Sequence, residues 1–150
     1  MPIFQSFCKD IWRSILFTCL AALVGSGSGC AASAETVNLA CGGVFHLYEP
    51  ERMDSSVAPT ASAVDLASKK ITTPLGEYRI SRVDEEQLTF GAPAAPGFNF
   101  VTHGTLDRLS GRMLIRWFRP EEDAKAQVVG QSANMARYAE FTCAAAKRLF

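Results

Sequence analysis

An excess of charge of either sign is missing from this chain. Fifteen Lys and Arg residues face fifteen Asp and Glu residues, for a formal net charge of zero. No basic footprint marks a nucleic-acid partner, and no acidic field marks cation storage. Histidine is scarce: His46 and His103 are the only two. With no local H-x-x-x-H, C-x-x-C or Asp-rich loop beside them, no donor set of three or four ligands forms, so no metal is expected. The chain also lacks a Gly-rich phosphate loop. Its one Gly-x-Ser start, in "GQSAN" (Gly130 to Asn134), lacks the second Gly of a nucleophile elbow. The acidic runs Asp84–Glu86 and Glu121–Asp123 read as solvated faces, not as two carboxylates opposed across a cleft. These absences predict a protein that is not an enzyme and holds no cofactor.

Long apolar runs are nearly absent as well. The one that stands out, "SILFTCLAALVG" (Ser14 to Gly25), is shorter than the roughly 20 apolar residues of a membrane-crossing helix. Lys9 and Arg13 precede it, and Gly and Ser followed by Ala32-Ser33-Ala34 come after it. That order predicts a secretory signal peptide over residues 1–34, cut after Ala34, and a single domain over residues 35–150. Cys30 offers an alternative as a lipid anchor, but Gly27 stands where such a signal carries an aliphatic residue. Release after Ala34 is the favoured reading.

Export changes how the five cysteines are read. Cys8, Cys19 and Cys30 fall in the leader, and Cys41 and Cys143 remain. An even pair in an oxidising compartment predicts a Cys41–Cys143 disulfide. Closing a loop of about a hundred residues stabilises a fold by up to about 4.7 kcal/mol in the chain-entropy model.

Beyond Ala34 the apolar residues recur at period two far more than at 3.6, the signature of half-buried strands. In "TVNLACGGVFHLYEP", Cys41, Phe45 and Leu47 share one parity, and Gly42-Gly43 predicts a bulge. "ERMDSSVAPTAS" (Glu51 to Ser62) reads as a polar loop, followed by a weak strand over Ala61–Ser68. "TPLG" (Thr73 to Gly76) is a turn opening "EYRISRV", and "QLTFGA" forms the next strand before the Pro-rich break "APAAPG". "FNFVTHGTLDRLSGRMLIRWFRP" holds two long strands joined by a hairpin at Leu109–Gly111. Pro120 followed by three acids fits either a short helix near residues 120–128 or a solvated loop, and "MARYAEFTCAAAKRLF" supplies the last strand. The whole is all-β: about seven strands in an antiparallel meander, closing as a small barrel or a two-layer sandwich. If the meander curls until its first and last strands are neighbours, Cys41 and Cys143 meet.

One group of residues invites a functional reading. Arg112, Leu114, Arg116 and Phe118 lie on the parity opposite Met113, Ile115 and Trp117, and Arg108 lies across the hairpin. A face mixing guanidinium and apolar groups is the composition of interface anchors. Asp107, Ser110 and Gly111 make a candidate hairpin loop: Asp and Ser cap its amides, and Gly takes its unusual angles.

An exported domain of this size, all β, with a Cys in its first strand and another in its last, resembles the small periplasmic C-type (MliC-like) lysozyme inhibitors. That family inserts a Ser-Gly-x-x-Tyr loop into the lysozyme active site. "SGRML" (Ser110 to Leu114) matches its first two positions and carries Leu114 where the family has the aromatic residue. "GTLDRLSGRM" with a terminal "C…KRLF" also resembles a group of small exported proteins of Gram-negative bacteria to which no activity attaches. The resemblances imply a periplasmic or secreted location, with outer-membrane anchoring through Cys30 as the alternative. The expected function is a non-enzymatic binding module for a protein or small ligand of the cell envelope. Inhibition of an envelope-targeting hydrolase such as lysozyme is the second reading.

Overall fold

A computed structural model describes residues 36–146. The expected signal peptide, its cleavage site, Cys30 and the terminal "KRLF" lie outside them. Eight antiparallel strands run in sequence order around a closed barrel. They are β1 (Thr36–Leu47), β2 (Met53–Asp65), β3 (Lys70–Thr73), β4 (Gly76–Val83), β5 (Gln87–Ala92), β6 (Val101–Asp107), β7 (Arg112–Phe118) and β8 (Met135–Ala145). A short helix, α1 (Pro120–Ala126), lies between β7 and β8. Closing the sheet leaves the first and last strands paired, which removes the edges of an open meander.

Two strands differ from the sequence expectation. The supposed loop over Glu51–Ser62 is mostly strand, because β2 starts at Met53 and pairs with β1 along its whole length. Its apolar content is too low to show a period; Pro59, which reads as a loop residue, sits in a bulge. The register jumps from Cys41↔Thr60 to Gly43↔Val57, so Ala58 and Pro59 together face Gly42. A bulge is where a residue without an amide proton disturbs the ladder least. The second difference is β3, four residues long and too short to declare a pattern. Phe98 and Phe100, read as the start of a strand, instead lie in the β5–β6 connection.

Inside the barrel, alternate residues from every strand make one core. Ile71, Leu88, Phe90, Met113, Ile115 and Phe141 are almost wholly enclosed. Each such side chain stabilises the fold by roughly 1.5–3 kcal/mol relative to exposure. The core is filled by side chains, as expected for a barrel of this strand number. β1 and β8 pair from Leu39↔Ala145 to Leu47↔Arg137, and Cys41 stands directly opposite Cys143. Their sulfurs are at disulfide bonding distance, 2.16 Å. Gly43 makes this seam possible, since a Cβ there would lie 2.1 Å from the Glu140 carbonyl oxygen.

The alternation of strands gives the barrel two distinct ends. At one end stand the start of β1, the β2–β3, β4–β5 and β6–β7 turns, and the end of β8. At the other stand the β1–β2 and β3–β4 turns, the β5–β6 loop and α1.

Candidate functional site

The end carrying the β6–β7 turn opens into an apolar cup of about 420 Å³. Its floor and inner wall are Val64, Leu88, Leu106 and Cys143, all buried. Its rim carries Val37, Leu66 and Leu109, which are 41%, 42% and 81% exposed. Three separate segments thus each place an aliphatic side chain in solvent around one concavity. Scattered exposed aliphatics are ordinary, but a ring of them around an apolar hollow makes it the candidate binding surface of the described residues.

The rim is held rigidly. Asp107 Oδ1 accepts hydrogen bonds from the amides of Leu109 (3.0 Å) and Ser110 (2.7 Å). Those donors, Ser110 foremost, hold the Asp107 carboxyl below its usual range. Ser110 Oγ accepts from the Arg112 amide at 3.3 Å. Gly111 takes φ +72°, and a Cβ there would sit 2.2 Å from the Cys143 carbonyl oxygen. The Cys143 amide in turn donates to the Gly111 carbonyl at 2.8 Å. Arg108 ties the hairpin to the neighbouring turn: its amide donates to Glu86 O at 2.7 Å and its guanidinium to Asp84 O at 2.6 Å. The roles read from sequence for Asp107, Ser110 and Gly111 are therefore met by hairpin geometry, and that geometry presents Leu109.

Of the five residues grouped as one interaction face, Arg112, Leu114, Arg116 and Phe118 lie on the outer side of β7, but with Arg108 they do not make one exposed patch. Arg108 belongs to the rim of the cup. Arg112 points outward and is paired with Glu140 at 2.8 Å. Leu114 is half-buried beside it, and Arg116 is exposed. Phe118, which the alternation places outside, is buried and stands edge-on to the His103 ring, with centroids 6.1 Å apart. The reason is α1, whose Asp123 reaches back to that ring: His103 Nε2 donates to Asp123 Oδ1 at 2.5 Å.

Other sequence expectations also find their places. His46 and His103 both face outward, and each meets an Asp. His46 stacks between Tyr48 and Tyr138 and pairs through Nδ1 with Asp54 at 2.7 Å. Tyr138 donates to Glu140, and burial is the main reason its hydroxyl titrates above the usual range. The run Glu121–Asp123 is not uniformly solvated, since Asp123 is only 8% exposed. Ser132 is exposed. Among the described residues, no group of three or more His, Cys, Asp or Glu side chains is placed to hold a metal. Nor is any helix among them long and apolar enough to cross a membrane.

The cup was missed in the sequence because its lining residues come from β1, β2, β5, β6 and β8. Its only local signal was Leu109, an aliphatic residue at a hairpin tip.

No family model, no curated protein and no solved structure matches this chain. The cup and its rim therefore carry the functional argument alone.

Proposed function

We propose that this protein is an exported, non-enzymatic binding module that takes an apolar group of a cell-envelope molecule into the mouth of its barrel. The observation that carries the reading is the cup of about 420 Å³ with buried aliphatic walls and an exposed aliphatic rim. Burial of apolar surface drives association there, at about 25 cal/mol per Å² removed from water. The volume falls within the usual range of small-molecule sites. Export is read from the leader pattern of residues 1–34.

Titration with the neutral fluorophore N-phenyl-1-naphthylamine tests the reading. A single saturable site is expected, with affinity lost in Leu66→Asp and Leu109→Asp. Absence of saturable binding would overturn it.

One observation favours a second reading, inhibition of an envelope-targeting hydrolase such as lysozyme. The β6–β7 hairpin projects Leu109 almost fully into solvent beside Ser110-Gly111, the pair shared with the inhibitor loop. A lysozyme turnover assay with micromolar purified protein decides it: lost activity supports inhibition, and unchanged activity removes it.

A further inference from the structure

A second concavity, of about 670 Å³, lies on the outer wall of β4, β5 and β6, outside the barrel and lined by other residues than the cup. Its floor is set by the strand register. Arg79 on β4 is opposite Gly91 on β5, and Gly91 is opposite His103 on β6. Neighbouring strands lie about 4.8 Å apart, so Arg79 and His103 start about 10 Å from each other with no side chain between them. Gly91 is obligatory there, because a Cβ would sit 2.2 Å from the Thr102 carbonyl oxygen. The result is a bare trough flanked by two basic side chains.

The charges around the trough are unequal. Lys69 also lines it, and among the described residues neither Lys69 nor Arg79 takes part in an ion pair. Glu77, two residues before Arg79 on the same strand, is taken by Lys70 at 2.8 Å. Asp123, the acid on the α1 side, is engaged at both oxygens: Oδ1 by His103 and Oδ2 by Gln127 Nε2 at 2.8 Å. Two cations without counter-charges thus face a concavity whose one carboxylate is already satisfied.

We infer that the trough over Gly91 is a binding site for a phosphate monoester group. A dianion matches the two free cations in charge. The Arg79 guanidinium suits two phosphate oxygens at once, and the Lys69 ammonium adds a point charge. The Thr89 hydroxyl, on the same wall, supplies a neutral donor. The His103–Asp123 bond holds α1 as the far bank. This site is independent of the cup and stands whether or not the cup takes an apolar group.

Amide NMR of the purified protein, titrated with glycerol 3-phosphate, tests the site. Saturable shifts are expected at Arg79, Gly91 and His103. Arg79→Ala and Lys69→Ala should each weaken the interaction at least tenfold, while Arg112→Ala leaves it unchanged. Both substituted residues are exposed, so an otherwise unaltered spectrum certifies the fold. Co-sedimentation with phosphatidic acid vesicles forms the second arm. Saturation by the soluble ester assigns a small-molecule source; vesicle binding that needs Arg79, without response to the soluble ester, assigns a lipid headgroup. Silence in both arms, or shifts reproduced by sodium chloride at matched ionic strength, overturns the proposal.

Discussion

The two ends of this barrel are built from opposite materials. At the α1 end, Phe45 packs edge-on against Trp117 with ring centroids 5.9 Å apart. The Arg137 guanidinium lies 4.6 Å from the Phe100 centroid and 5.7 Å from that of Phe98. Large rings and a cation lying against two of them plug that opening. Among the described residues, no aromatic side chain lines the hollow at the hairpin end, where Val37, Leu39, Val64, Leu66, Leu88, Leu106 and Leu109 supply most of the wall. The difference teaches that one closed sheet can be packed by rings and a cation at one end and by the Cys41–Cys143 bond beneath an apolar hollow at the other, and the proposed binding reading rests on the hollow.

That contrast is broken most severely at the plug. Trp117→Ala should lower the unfolding free energy by about 3–5 kcal/mol, as removal of a buried indole does. A urea denaturation curve checks it. Replacing Cys41 and Cys143 together with Ser should cost about 2–5 kcal/mol by freeing the β1–β8 seam, read by the same titration. Arg137→Ala should cost about 1 kcal/mol and speed amide exchange in residues 93–100, since it removes the cation lying against both rings. At the open end, Leu109→Asp should shift stability by less than about 0.5 kcal/mol, because that side chain touches little, yet abolish uptake of an apolar probe.

The smallest expected effect is that of acid. Hydrogen bonds from the hairpin amides hold Asp107 below its usual range, and Arg112 followed by Tyr138 does the same for Glu140. A carboxyl depressed in the folded state stabilises above its unfolded value, near pH 4, and loses that contribution as pH falls through its folded value. Stability should therefore be flat at neutral pH and decline below about pH 4. Both groups are only half-buried and stay screened by solvent, so the decline should be shallow, and thermal melts at stepped pH measure it.

Much of the barrel was legible because alternation survives where one face is buried. Met113, Ile115 and Trp117 declared β7, and Asp107 with Ser110-Gly111 declared its hairpin. The Cys pair foretold that the last strand returns to the first. β2 was not legible: "DSSVAPTAS" is small and polar on both faces, and Pro59 suggests a loop until its bulge partner Gly42 is known. Residues brought together across the fold left no local sign. Nothing near Glu121–Asp123 announces that one of its acids turns inward to His103, twenty positions away. The cup was hidden for the same reason, since closure alone assembles its wall.

The asymmetry of the two ends is tested most directly by titrating 1-decanol into the isotopically labelled protein and following every amide. Saturable shifts are expected at Leu39, Leu66, Leu109 and Ala145, with Phe98, Phe100 and Arg137 silent. Shifts confined to the plugged end, or none at either end, would contradict it.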